Sequence, residues 1–399
     1  MKKIYLDYAA TTPVDGEVFE AIKPFFSETY GNAGSLHSFG REAVTAVDSA
    51  RSKVAEAIGA EFRDIIFTGS ATEANNLALR GTLKTKNYKL KPKIIVSAIE
   101  HESVLETARD LEKEGVEVAV VPVGSGGVVD LKKLKSALDD RTALVSVMYA
   151  NNEIGTIQPI AEISKIIKEF NHEILFHTDA VQAFQYLDCN VNALGVDFLT
   201  LSAHKIYGPK GVGALYIRTI GPIGLIGPIG PIVTGGGQEF GLRSGTENVP
   251  GIVGFARAVG LVSDSRELEN SRIRDLRGYF WRELKRVYPD AETNPSQVAL
   301  GFALGQNLGQ RGSLPNILNV YFPGHKAEDL LVKFDKAGIA VSAGSACQAR
   351  AARPSHVLRA LGLPEERARS SIRFSFGRFT TDFEIKTVLR RVEKMKLSA

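Results

Sequence analysis

Hydrophobic positions in the first two thirds of the chain follow two alternating rhythms. Short runs rich in β-branched and aromatic residues occur at 64–68, 93–98, 116–121, 142–148, 173–178 and 196–202. Runs such as Ile94-Ile-Val96 and Ala143-Leu-Val145, bounded by polar or turn residues, read as strands buried on both faces. Between them the spacing turns helical. Val44, Val47, Val54 and Ile58 share one helical face. Residues 101–114 form a helical pattern closed by Gly115. Asp130 is placed to cap a helix over 131–138, and Pro159 to open one through Phe170. Strands and helices in alternation predict a mostly parallel α/β sheet.

The texture changes after about residue 262. A long charged helical pattern covers 266–288, and strand patterns follow at 316–322, 339–342 and 371–376. The expected organisation is a large domain over 13–262 and a smaller α/β domain built from 1–12 and 263–399. One run stands apart. Residues 219–238 carry no charge and contain the near-repeat Ile220-Gly-Pro-Ile-Gly-Leu225 and Ile226-Gly-Pro-Ile-Gly-Pro231. The run is long enough to cross a bilayer. Pro222, Pro228 and Pro231 would leave backbone groups unpaired in lipid. An extended apolar loop, packed on the surface or on a subunit neighbour, is expected instead of a membrane span.

Composition narrows the classes. The 399 residues are 44% hydrophobic and 24% charged, which excludes a wholly disordered chain. Lys and Arg number 49 against 45 Asp and Glu, a net +4 spread along the chain, so no nucleic-acid partner is expected. Cys189 and Cys347 are the only cysteines, which rules out a disulfide scaffold and points to a reducing compartment. Asp7 interrupts the first apolar stretch, so the expectation is a cytoplasmic protein without a targeting segment.

Three strand ends carry candidate chemistry. Ser202-Ala-His-Lys205 follows an apolar strand and leads into the glycine-rich Gly208-Pro-Lys-Gly211. Ligands in open α/β sheets sit beyond the carboxyl ends of strands. A lysine desolvated there is suited to Schiff-base chemistry, although most lysines simply lie on the surface. Asp179 ends the strand-like run Phe176-His-Thr-Asp179. A carboxylate there either caps a helix or pairs with the ring nitrogen of pyridoxal phosphate (PLP). Thr68-Gly-Ser-Ala-Thr72 joins a strand to a helix through small residues, as in a phosphate cup, and has no Walker lysine. The seven histidines form no recognisable metal-ligand pair with a cysteine or carboxylate.

Further segments extend this set in chain order: Leu6-Asp-Tyr-Ala-Ala-Thr-Thr-Pro13, Ala71-Thr-Glu73, Glu100-His101, Asn151-Asn-Glu153, Asp179-Ala-Val-Gln182, Arg243-Ser-Gly-Thr246, Ser345-Ala-Cys347 and Ser371-Ile-Arg-Phe-Ser375. From about residue 4 to 380 the chain resembles the cysteine desulfurases, PLP enzymes of the class V aminotransferase group. The resemblance implies the PLP-dependent transferase fold type I, with a mainly parallel seven-stranded sheet. It implies that Lys205 is the Schiff-base lysine and removes the Cα proton of L-cysteine. Asp179 would face the ring nitrogen, and Gln182 the ring hydroxyl. Ala71, Thr72, Ser202 and His204 would hold the phosphate, with Thr246 reaching in from the other subunit of a homodimer. His101 would stack on the ring and move protons. Asn152 would touch cofactor or substrate, and Arg373 would grip the substrate carboxylate.

Cys347 would be the nucleophile that takes the substrate sulfur as a persulfide, leaving alanine. The sulfur would then pass to an acceptor protein such as an iron–sulfur scaffold. Cys347 lies among small residues with Arg350 and Arg353 nearby, which suits an exposed mobile loop; from the residues alone an inert buried thiol is the commoner outcome, and the nucleophile is what the resemblance implies. Cys189, without an adjacent base, reads as a buried structural thiol. The sequence departs from the family pattern in three places. Gly69-Ser70 reverses the usual order, Thr234 stands where histidine is usual, and Gln348-Ala-Arg350 replaces a serine-rich stretch. None removes a proposed catalytic group. Two readings compete with the desulfurase: another class V enzyme, for which Cys347 would matter less, and a non-catalytic scaffold, which would be expected to lose Lys205, Asp179 or Cys347. A nucleotide-binding Rossmann protein is excluded, because no G-x-G-x-x-G follows the first strand.

Overall fold

The computed structural model describes residues 2–84, 91–218, 229–296, 312–344 and 354–395. Cys347 lies outside these residues, as does the 219–228 part of the uncharged run. Twelve strands occur among the described residues: β1 (Ile4–Tyr5), β2 (Ile65–Thr68), β3 (Lys93–Ser97), β4 (Glu117–Val121), β5 (Thr142–Ser146), β6 (Leu175–Asp179), β7 (Phe198–Ser202), β8 (Gly213–Ile217), β9 (Glu292–Thr293), β10 (Ile317–Tyr321), β11 (Ile339–Ala340) and β12 (Ser371–Ser375).

Seven of them form one sheet in the order β2-β8-β7-β6-β5-β3-β4. All neighbours run parallel except β8, which is antiparallel to both β2 and β7. The continuous apolar runs arise because both faces are covered. Ile94 and Val96 pack with Leu77 and Val104 on one side, and Ile95 lies beside Val145 and Phe176 in the core on the other. Edge strand β4 is the exception: its first four residues are not buried, and Val120 is exposed.

Helices Ala71–Lys84 and Glu102–Lys113 cover one face. Ser38–Ala57 and the 39-residue helix Val249–Val287 pack together on the other. The capping residues act as their chemistry dictates. Asp130 accepts from the amides of Lys132 and Lys133 and starts the helix Leu131–Ala137. Gly115 ends the Glu102–Lys113 turn at φ +96°. The near-repeat is described only at its end, where Gly230 N donates to Gly81 O at 2.9 Å.

A three-stranded antiparallel sheet, β12-β10-β9, builds the remainder with the parallel pair β1-β11. Ile4 pairs with Ile339, so the N-terminal residues are woven into the C-terminal part. Residue 262, where the domain boundary was expected, falls within the continuous helix Val249–Val287. The helical pattern expected from 266 thus begins at Val249, capped by Asn248. Gly254 lies against Ile22 and Pro209, where a Cβ would come within 2.6 Å of Ile22. Close packing there outweighs the weak helix propensity of glycine.

Candidate active site

The carboxyl ends of β2, β3, β5, β6 and β7 lie at one edge of the sheet and surround a cavity of about 230 Å³. Its lining includes Ala71 and Thr72 after β2, His101 after β3, Asn152 after β5, Asp179 at the end of β6, and His204 and Lys205 after β7. Gln182 joins from the loop after Asp179, and Arg373 from β12. Residues from across the sequence thus meet because parallel strands deliver their loops to one edge.

Asp179 accepts from Asn75 Nδ2 at 2.8 Å and from Val181 N at 3.0 Å. Lys205 Nζ donates to the carbonyls of Ala9 at 2.7 Å and Ala10 at 2.8 Å. Gln182 Nε2 donates to the same Ala9 carbonyl at 2.9 Å. Tyr207 adopts φ +66°, an outlier for a bulky residue, two positions after the lysine. Its amide is held by Thr12 Oγ1 at 2.8 Å, and its hydroxyl accepts from Arg378 N at 2.6 Å. These contacts fix the turn that presents Lys205.

His101 caps the helix Glu102–Lys113, with Nδ1 accepting from Ser103 N at 3.1 Å. Burial lowers its pKa, the Asp179 charge opposes that and Lys205 reinforces it, so the ring is neutral. Because Nδ1 accepts from an amide, the ring proton resides on Nε2. Burial likewise takes His204 down to about 4, helped by the charges of Lys205 and Lys210. Its Nδ1 lies 3.1 Å from Thr11 Oγ1.

The turn before helix Ala71–Lys84 is held from two sides. Glu73 accepts from Gly69 N and from Arg243 Nε, each at 2.8 Å. Gly213 on β8 presses against it, and a Cβ there would come within 2.9 Å of Ala71 N. The amides of Ala71 and Thr72 have no partner among the described residues.

The class-V aminotransferase model matches residues 4–388. The chain belongs to that family. It is 46% identical to the cysteine desulfurase IscS of Dictyoglomus turgidum, over 99% of this chain and 94% of that protein. A solved NifS-like protein superposes with a TM-score of 0.87 at 38% identity, covering 98% of this chain and 99% of its own. The structure of SspA in complex with cysteine gives 0.77 at 35% identity, covering 95% and 100%.

Class-V aminotransferases use PLP, and the donor set of the cavity suits that cofactor. The free amides at the start of a 14-residue helix suit a phosphate. Asp179 supplies an acceptor for a protonated ring nitrogen, and Lys205 an amine. One residue expected at the phosphate does not line the cavity: Ser202 is the buried last residue of β7. Thr246, expected to reach a second subunit, is exposed. Ser70 lines the cavity instead, together with Ala9 and Ala10. The motif 6–13 signalled those two alanines, but nothing in their side chains announces that their carbonyls do the work. Among the described residues no three His, Cys, Asp or Glu side chains are placed to hold a metal ion, and no helix is long and apolar enough to cross a membrane.

Proposed function

We propose that this chain is a PLP-dependent cysteine desulfurase. The observation that carries the reading is the convergence of Lys205, Asp179, His101 and Arg373 on the cavity headed by the 71–84 helix. The reaction balances as L-cysteine plus the Cys347 thiol giving L-alanine plus the Cys347 persulfide. The substrate C–S bond breaks and an S–S bond forms.

PLP, when bound, supplies a sink for the electrons left at Cα once its proton is removed. The ring nitrogen would be held by Asp179, the ring hydroxyl by Gln182, and the phosphate by Ala71, Thr72 and His204, joined by Thr246 of a second subunit. Lys205 removes the Cα proton, since its amine already projects into the cavity. Neutral His101 carries a proton on Nε2 and exchanges protons with the substrate thiol. Arg373 and Asn152 orient the substrate, the guanidinium offering its planar fork to the carboxylate. Cys347 thiolate takes the sulfur.

The persulfide then passes to an acceptor protein such as an iron–sulfur scaffold. A homodimer is supported by the exposed large apolar residues between 19 and 39, namely Phe19, Phe26, Leu36 at 91% exposure, and the contacting pair Tyr30 and Phe39. A free buried Cys189 and the absence of any other cysteine but Cys347 fit a reducing cytoplasm.

The test is production of alanine and sulfide from L-cysteine, with a thiol reductant present. Wild-type protein yields both in equal amounts, and Cys347→Ser keeps its yellow cofactor but yields no sulfide. Undiminished sulfide from that variant would overturn the reading.

A further inference from the structure

Asn75 belongs to the helix that heads the cavity, yet it is fully buried behind the lining. Its Nδ2 lies 2.8 Å from Asp179 Oδ2 and 2.8 Å from Ser103 Oγ. Ser103 Oγ in turn lies 2.9 Å from His101 Nδ1. Four residues from three elements thus form one continuous chain of hydrogen bonds.

The direction of every bond in it follows from chemistry. An ionised carboxylate only accepts, so the amide must turn its nitrogen toward Asp179. Its second N–H then points to Ser103 Oγ. Having accepted there, the serine hydroxyl directs its own hydrogen to His101 Nδ1. That nitrogen is already an acceptor for Ser103 N. The orientation carries a penalty, since Asn75 Oδ1 is buried with no partner among the described residues. The opposite flip would set an amide oxygen against a carboxylate, which is worse.

We propose that Asn75 and Ser103 are positioning residues, forming a directed relay from Asp179 that holds His101 Nδ1 as a double acceptor. The relay leaves Nε2–H as the ring's donor. The inference rests on the PLP reading of this cavity only in the use it gives to His101. The charged and titratable groups around the imidazole are Asp179 on β6, Lys205 after β7, Glu102 on its own helix and His356 on the helix His356–Ala360. Changing Ser103 leaves all four in place, whereas changing Asn75 also removes one hydrogen bond from Asp179.

The experiment titrates His101 by ¹⁵N NMR in the PLP-loaded protein, its signal identified by comparison with His101→Asn. Asn75→Leu, Ser103→Ala and the double variant are compared. Ser103→Ala deletes one donor to Nδ1, and Asn75→Leu removes the donor that fixes the direction of the Ser103 hydroxyl. Each single change should raise the His101 midpoint by about half a unit to one unit, the equivalent of one lost hydrogen bond. The double variant should shift it no further than the larger single change. Additive shifts, or no shift in Ser103→Ala, would overturn the relay. Ser103→Ala alone decides the matter if Asn75→Leu does not fold. The titration needs no substrate, so it stands or fails separately from sulfide production.

Discussion

Arg373 Nη2 and Asp7 Oδ1 lie 2.7 Å apart across 366 positions of sequence. The same guanidinium donates through Nη1 to the Asn152 carbonyl at 2.9 Å. Arg373 is 1% exposed, so its charge depends on these partners. The fork proposed to hold the substrate carboxylate is therefore set by the N-terminal segment and by the loop after β5 together. Arg373→Lys cannot satisfy both and still offer a bidentate face. It should raise KM for L-cysteine about tenfold or more while PLP content stays unchanged. Asp7→Asn leaves a buried cation without its counter-charge, and should cost about 3 kcal/mol in denaturant unfolding.

Glu100 is fully buried one residue before His101, and its Oε1 accepts from Met148 N at 2.6 Å. Burial pushes its carboxyl up from 4.5 to about 8. Between those two values the folded protein keeps the proton and the unfolded chain does not. Its contribution to stability is therefore complete below 4.5, falls as pH rises, and is lost above about 8. Glu100→Gln retains the acceptor for Met148 N and should flatten this slope. Urea unfolding across that pH interval measures it, and parallel wild-type and variant curves would refute the assignment.

Gly213→Ala tests the floor of the turn proposed to hold the phosphate. The new methyl would meet backbone atoms of Ser70, Ala71 and Leu201 at 2.8 to 2.9 Å, none of which can swing aside. The turn must shift. PLP affinity should fall about tenfold, and stability by about 1–3 kcal/mol. Titration of the apoprotein with PLP, followed by its absorbance, reads the first effect.

Burial pushes the Cys189 thiol up to about 12. It is therefore a thiol, and not a thiolate, at neutral pH. Alkylation of the native protein should label Cys347 alone, whereas both cysteines should react after unfolding. Cys189→Ala should leave sulfide production unchanged. Peptide mass spectrometry checks the labelling.

The large sheet was legible because its strands are short apolar runs between capped helices. Six of the seven strands fall within one or two residues of the expected bounds. β8 escaped because Gly213-Ala-Leu-Tyr-Ile217 follows a glycine-rich turn directly, with no intervening helix, and pairs antiparallel. The helix Val249–Val287 was read short because only its charged second half displays a clear pattern, while its first half is buried against neighbours. In the site, side chains with distinctive chemistry were found from sequence. The part played by the Ala9 and Ala10 carbonyls was not, nor was Asn75, because the first two act through the backbone and the third is ordinary until folding sets it against Asp179.

The Val249–Val287 helix has a mechanical meaning. At 1.5 Å per residue its 39 residues make a rod of about 58 Å. The first half is clamped to the sheet by Phe255 and Val259, and the second to the C-terminal part by Phe280 and Leu284. Bending between the halves would break a continuous ladder of amide–carbonyl bonds. The rod thus ties the strand that carries Arg373 to the sheet whose edge carries Lys205, and their relation is built into a single axle.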